Sequence, residues 1–278
     1  MTMTPAPATP TFIYGTAWKE DDTRRLVRLA LDAGFRAIDT ANQRRHYHEE
    51  GVGQALSDAF SAGIVTRADM FLQTKFTFRS GQDHRLPYNP AASIAAQVRQ
   101  SFASSLQHLG TDNIDSYVLH GPSRRSGLHA DDLEAWTAME ELHREGRASH
   151  LGVSNVSLGQ LETLCTSATV PPAFVQNRCF SELGWDRAVR TACRERGIAY
   201  QGFSLLTANR SELADPRVVA LAARLGATVP QVVFRFAMHV GMMPLTGTTN
   251  AAHMAEDLAA YRLALASEDV TLLERIGG

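Results

Sequence analysis

Eight short apolar runs, each followed by a segment with helical periodicity, recur along the 278 residues with no Pro- or Ser-rich linker between them. The runs are TFIYGTA (11–17), FRAIDT (35–40), MFLQTKF (70–76), IDSYVLH (114–120), ASHLGVSN (148–155), AFVQNRCF (173–180), IAYQGFS (198–204) and GMMPLTG (241–247). In DDTRRLVRLALDAG, Leu26, Leu29, Ala30 and Ala33 fall at i, i+3, i+4 and i+7, with Asp21 or Asp22 as N-cap and Gly34 past the C-terminus. DRAVRTACRERG repeats the design: Val189, Ala192 and Cys193 share a face, and Gly197 stops the helix. Eight β-then-α units predict an α/β fold, a (β/α)8 TIM barrel forming a single domain over 11–278, after a loose tail over 1–10. The rival architecture, a doubly wound open sheet, normally carries a Gly-rich phosphate turn after its first strand, and IYGTAWKEDD lacks G-x-G-x-x-G.

Charge and cysteine usage narrow the class of function. With 27 basic and 29 acidic side chains the formal charge is −2, so no global field draws nucleic acid or an anionic membrane. The one basic cluster, SRRSG (123–127), reads as a solvated loop. Three cysteines, Cys165, Cys179 and Cys193, lack metal-type spacing and fit free thiols in a reducing compartment. The opening MTMTPAPATP has no apolar core of a signal peptide, and no apolar run reaches membrane-spanning length. The expectation is a cytoplasmic protein, and a monomer, because a barrel seals its own sheet edges.

In such a barrel, residues at the C-terminal ends of strands face the active site. Those ends supply Asp39, Lys75 and His120 after strands two to four, Ser154 and Asn155 after strand five, and Gln176 and Asn177 in strand six. A buried Lys beside an Asp stays charged, and its cation is expected to lower the pKa of a nearby phenol. A phenol so tuned gives a proton to an alkoxide forming at a carbonyl, while a neutral His donates a hydrogen bond to the same oxygen. Tyr47 is the one phenol between Asp39 and Lys75. Plainer roles exist for each residue: Asp39 as a helix N-cap, His120 as a core histidine, Ser154 and Asn155 as caps of the helix begun by SNVSLGQLE. HYHEE (46–50) reads alternatively as a metal site, although His46 and His48 share a face only on extended chain. After strand eight, GTTNAAHM opens a helix whose free N–H groups suit a phosphate.

Taken in order, GFRAIDTA, Tyr47 with EEGVG, LQTK, SLQHLGTDNIDSYVLHGP, AMEELHREGRASHLGVSN, PPAFVQN, GIAYQGFSLLT and FRFAMHVGMMPLTGTTNAAHMAEDL resemble the aldo-keto reductase family over nearly the whole chain. The resemblance implies NAD(P)H-dependent reduction of an aldehyde or ketone by a tetrad of Asp39, Tyr47, Lys75 and His120. It implies Ser154, Asn155 and Gln176 around the nicotinamide carboxamide, and Ser204 and Leu206 near the pyrophosphate. It further implies Gly247, Thr248, Thr249 and His253 at the adenosine phosphate, with Glu256 and Asp257 at adenine.

The chain departs from the family pattern in four places. The Asp-to-Tyr gap is eight residues where the family has five, and counting back from EEGVG puts His46 in the usual register. Cys179 occupies the position of the aromatic that stacks on nicotinamide, with Phe180 beside it as a substitute. Gly247 and His253 replace two cations of the 2′-phosphate clamp, which makes NADH an alternative to NADPH. The sequence ends at TLLERIGG, so an open pocket is expected, with the substrate met by Trp18, His46 and the loops after His120 and Ser204. Two other readings compete: a nicotinamide-nucleotide-binding barrel acting as a sensor or regulatory subunit, and a metal-assisted hydrolase using His46 and His48.

Overall fold

Each of the eight apolar runs forms a strand, and in the computed structural model, which describes residues 10–277, all eight pair in parallel and close on themselves in sequence order. The strands are β1 (Ile13–Gly15), β2 (Ala37–Asp39), β3 (Phe71–Phe76), β4 (Ile114–Leu119), β5 (Ala148–Ser154), β6 (Phe174–Arg178), β7 (Ala199–Phe203) and β8 (Met242–Thr246). All eight are shorter than the runs that announced them, because the ladder ends where the chain bends out to its helix. The barrel is wrapped by α1 (Thr23–Ala33), α2 (Glu49–Ser61), α3 (Ile94–Leu109), α4 (Ala130–Arg144), α5 (Leu158–Ser167) and α6 (Arg187–Glu195). Three helices follow β7, namely α7 (Arg210–Leu213), α8 (Pro216–Arg224) and α9 (Val229–His239), and two follow β8, α10 (Ala251–Ala259) and α11 (Ser267–Glu274). The tail expected over 1–10 lies, apart from Pro10, outside the described residues.

Helix α1 shows how the local sequence builds the wall. Its deepest stripe is Leu26, Val27, Ala30 and Leu31, while Leu29 and Ala33 sit at the edge of that stripe, half-buried. Burying Leu26, Val27 and Leu31 contributes about 1.5–3 kcal/mol each. Gly34 ends the helix at φ 112°, its N–H donating to the Ala30 and Leu31 carbonyls. Asp22 occupies the N-cap position but its carboxylate pairs with Arg25 and does not cap. Between α2 and α3 the approach is closer still. A Cβ on Gly53 would lie 2.0 Å from the His108 carbonyl oxygen, so only glycine lets α2 seat there.

Along the strands, side chains alternate between the helix-covered outside and the barrel interior. Inside, Ile13, Ala37, Phe71, Phe174, Met243 and Leu245 form a closed apolar cluster. Two residues further along their strands the interior turns polar: Asp39, Gln73 and Gln176, joined by Gln201 of β7, are all buried. One more step along β3 stands Lys75, with no solvent exposure. Among the described residues no single helix is long and apolar enough to cross a membrane.

Candidate active site

Asp39 ends β2, Lys75 lies near the end of β3, and His120 follows β4, so three neighbouring strands deliver the acid, the ammonium and the imidazole to one mouth. Lys75 Nζ donates to Asp39 Oδ1 (2.6 Å), Asp39 Oδ2 (2.7 Å) and the Thr40 carbonyl (2.8 Å). Asp39 is therefore half of a buried ion pair and not a helix cap. Burial pulls the Lys75 ammonium below its ordinary range, and the Asp39 charge works against that pull.

Tyr47 belongs to the loop between β2 and α2, where its N–H donates to the Gln43 carbonyl at 3.0 Å. Its ring lies 5.2 Å under Lys75 Nζ and 5.8 Å, edge to face, from the His120 ring. The longer Asp-to-Tyr spacing thus still brings the phenol beside Lys75 and His120. Glu49, next but one along the chain, anchors the loop from below. It accepts from the Thr74 hydroxyl and from Ser105 Oγ (3.1 Å), and its Oε2 lies 3.2 Å from His108 Nδ1. A cavity of about 340 Å³, lined in part by Asn42, Gln43, Tyr47, Glu49 and Arg85, adjoins the same loop.

One electrostatic expectation is reversed. The Tyr47 pKa is raised, first by burial and then by the Asp39 carboxylate, instead of being lowered by Lys75. The Lys75 ammonium is held by both Asp39 oxygens and the Thr40 carbonyl, and among the described residues it makes no hydrogen bond to the Tyr47 oxygen. Tyr47 is half-buried as a residue, and the protein around its phenol disfavours the phenolate. His120 goes the other way: burial, then Lys75 and His46, hold it well below the usual histidine range, so its imidazole is neutral at pH 7. Thr77 Oγ1 sits 2.7 Å from His120 Nδ1, leaving Nε2 as the ring nitrogen without a protein partner among the described residues.

His46 stacks on Trp18 with ring centroids 4.0 Å apart, and its Nδ1 lies 2.9 Å from Gln43 Oε1. Trp18 is 68% exposed and held at φ 61°, an unusual backbone state for an aromatic residue. His48 turns elsewhere, toward the Glu20 carbonyl at 3.2 Å. Among the described residues no group of three or more His, Cys, Asp or Glu stands together as metal ligands.

Ser154 and Asn155 do not cap a helix; α5 is capped by Ser157, whose side chain accepts from Gln160 N at 3.3 Å. Ser154 Oγ donates to the Gln176 carbonyl (2.6 Å), and Asn155, at φ 56°, donates from Nδ2 to the His120 carbonyl (2.8 Å). Gln176 is turned into the barrel, donating to Asp39 Oδ1 at 3.0 Å and Gln201 Oε1 at 2.9 Å. Cys179 is fully buried with its Sγ 3.3 Å from the Tyr200 hydroxyl, whereas Phe180 is half-buried at the edge. Ser204 (φ 56°) and Leu206 follow β7, both half-buried.

At the other rim, Gly247 and Thr249 are exposed between β8 and α10, and Thr248 Oγ1 stands 3.5 Å from His253 Nδ1. Two of the N–H groups expected to be free at this helix start are already capped: Asn250 N donates to Thr248 Oγ1 and Ala252 N to Asn250 Oδ1. Glu256 is half-buried, but Asp257 is buried and accepts from Thr246 Oγ1 at 2.7 Å, so it is turned away from the rim. Burial raises the Asp257 carboxyl to about 6. A larger cleft, about 840 Å³, lies on the outer wall between α5, α6 and the end of α11, away from these residues.

Sequence reading passed over Lys19, Gln73 and Gln201. Lys19 reaches from the β1–α1 loop to donate to the Gly247 carbonyl, at the rim where the clamp lysine is missing. Burial lowers its pKa, and no carboxylate among the described residues pairs with it. A signal was present: of 27 basic residues only Lys19 and Lys75 are lysines, and both are buried.

Comparison with known proteins agrees with this geometry. Residues 11–277 match the model of the Aldo/keto reductase family. Deoxymugineic acid synthase 1 of Oryza sativa subsp. japonica is 32% identical over 280 residues, covering 94% of this chain and 82% of that protein. The crystal structure of Bombyx mori aldo-keto reductase AKR2E4 in complex with NADP superposes with a TM-score of 0.81 at 26% identity, over 96% of this chain and 89% of that one. An aldo/keto reductase structure from Brucella melitensis gives 0.82 at 28% identity, over 96% and 93%. The (β/α)8 barrel, its polar mouth and a family match spanning 11–277 lead to one conclusion: this chain belongs to the aldo/keto reductase family.

Proposed function

We propose that the protein reduces an aldehyde or ketone to the alcohol with NADPH, Tyr47 giving the proton and His120 orienting the carbonyl. Family membership makes the chain an NAD(P)H-dependent carbonyl oxidoreductase; the residue roles are our reading. The observation that carries them is the half-buried Tyr47 phenol beside a buried Asp39–Lys75 pair and a neutral His120. A bound nicotinamide supplies the hydride that the carbonyl carbon accepts. As the carbonyl oxygen gains charge, Tyr47 donates its O–H proton to it and Nε2 of His120 hydrogen-bonds the same oxygen. Lys75 stays an ammonium through Asp39 and stabilises the negative charge passing to Tyr47.

The residues present fit the cofactor. Ser154, Asn155 and Gln176 cluster at the ends of β5 and β6, where a carboxamide finds both donors and acceptors. Phe180 offers the aromatic surface, Ser204 and Leu206 the pyrophosphate loop, and Thr248, Thr249, His253 and Glu256 the adenosine end. Lys19 restores a cation beside Gly247, and this supports NADPH over NADH. Trp18 and His46 form the substrate wall. The reading includes a cytoplasmic monomer acting on a small carbonyl compound: the closed sheet presents no edge for a partner to cover, and the net charge of −2 gives no field for nucleic acid.

Titration with NADPH and NADH, followed by protein fluorescence, and then addition of an aromatic aldehyde tests this directly. Saturable binding with aldehyde-dependent oxidation of the nucleotide is the expected result. Binding without turnover of any aldehyde or ketone in a broad panel would refute it.

A further inference from the structure

We propose that Gln73 and Gln201 are positioning residues that fix, from inside the barrel, which end of the Gln176 amide faces the mouth, making Gln176 an acceptor for the amino group of a carboxamide. The inference rests on the reading that Gln176 meets the cofactor carboxamide. Asp39, as a carboxylate, can only accept. Its Oδ1 takes Gln73 Nε2 at 2.7 Å and Gln176 Nε2 at 3.0 Å, in addition to Lys75. The amino ends of both glutamines must therefore point inward.

Gln201 completes the lock from the far side. Its Oε1 accepts from Gln73 Nε2 (2.8 Å) and Gln176 Nε2 (2.9 Å), while its own Nε2 donates to Gln73 Oε1 (3.0 Å). Turning Gln201 over would set its N–H groups against two other N–H groups and break all three bonds. The Gln176 nitrogen thus has both hydrogens engaged, and Oε1 is its one remaining polar atom, neither paired in the core nor sealed from solvent. All four side chains are at least 96% buried, on β2, β3, β6 and β7, so the arrangement spans the barrel in a medium where a misoriented amide is costly. The same chain of bonds ties the carboxamide contact to the charge on Asp39: an acceptor-only Asp39 is what forces the first two amides.

The test compares binding of NADPH with its 3-acetylpyridine analogue, which keeps the carbonyl and lacks the amino group, on the full chain. Wild type is expected to bind NADPH about fivefold tighter, the worth of one net hydrogen bond. In Gln201→Met, of similar length, Gln176 Nε2 keeps Asp39 Oδ1 as its one inward acceptor and its orientation is held less firmly. The preference then falls part of the way toward one, while affinity for 2′-phospho-ADP-ribose, which lacks the nicotinamide, is unchanged. Gln201→Glu is expected to keep the preference at every pH, because acid and carboxylate alike leave an oxygen that accepts from Gln176 Nε2. A wild-type preference undiminished in Gln201→Met overturns the inference and leaves the cofactor reading standing. Equal affinities of the two nucleotides for wild type would instead show that Gln176 is not the carboxamide contact, and the inference falls with that reading.

Discussion

Replacing Lys75 with methionine separates what the buried pair does for stability from what it does for chemistry. Met matches the length and apolar volume of the Lys stem, so little packing is lost. What remains is Asp39, 3% exposed and stripped of an ammonium that bonded both its oxygens. Removing one partner of a buried pair costs roughly 3–5 kcal/mol, because the other charge is left uncompensated. The amides of Gln73 and Gln176 still donate to Oδ1, which favours the lower end of that range. For a chain of this size about 2–4 °C is lost per kcal/mol, so a fall in Tm of roughly 6–15 °C is expected.

Adding Asp39→Asn should recover most of that loss, because the new side-chain amide keeps an oxygen for the two glutamines and carries no charge. Activity should not recover, since the cation beside Tyr47 is gone; kcat stays at least about two orders of magnitude down, the worth of assisted proton transfer. Urea unfolding and aldehyde reduction on the two variants supply the readings. A Lys75→Met protein within about 1 kcal/mol of wild type would refute the argument that this pair is buried as ions.

Tyr47→Phe should fold normally and lose about 10²–10⁴-fold in kcat with cofactor affinity preserved; activity near wild type would remove Tyr47 from the role of acid. Because the Tyr47 pKa is raised and that of His120 lowered, the phenol stays protonated and the imidazole neutral from below about pH 6.5 to about pH 10. The kcat for reduction should be flat across that span, and a titration inside it that Tyr47→Phe abolishes would contradict the electrostatics. Lys19→Met should weaken NADPH binding about tenfold, the scale of one hydrogen bond to a charged group, with a smaller effect on NADH; equal effects on both would move Lys19 from the 2′-phosphate to the pyrophosphate. Asp257, raised from 3.8 to about 6 by burial, holds a proton in the folded state that the unfolded chain has released. Its contribution is lost as pH rises from about 4 to 6 and amounts to a penalty of about 3 kcal/mol above that. Asp257→Asn should therefore stabilise the protein at pH 8 and not at pH 4, and an equal shift in the urea midpoint at both would show that the carboxyl is not strained.

The barrel was legible because each strand is a short apolar run bounded by turn residues, and the site because Asp39, Lys75 and His120 sit where three consecutive runs stop. Less was legible where several strands act together. Gln73 and Gln201 each read as one polar residue inside an apolar strand; only the register that sets Asp39 beside Gln73 and Gln176 beside Gln201 makes them a layer. The α1 stripe was read from four positions, yet the helix buries Val27 and Leu31 more deeply than Leu29 and Ala33, because the barrel wall and not the helix chooses the angle of docking. Ser154 looked like a cap since a Ser-Asn pair precedes a helix, but Ser157 in the same stretch forms the capping box with Gln160.

The direction of the Tyr47 shift follows from burial first and the Asp39 carboxylate second. The ammonium that opposes them is already engaged by both Asp39 oxygens and the Thr40 carbonyl, which weakens its influence on the neighbouring phenol. Lys75 Nζ stands over the Tyr47 ring, 5.2 Å from its centre. A raised pKa makes Tyr47 a weaker proton donor, yet an alkoxide is a stronger base than a phenolate and still draws the proton from it. The same shift hinders the reverse reaction, which needs the phenolate as base. At neutral pH Tyr47 therefore stands protonated, the form that reduction uses, and oxidation of an alcohol has to draw on its scarce phenolate.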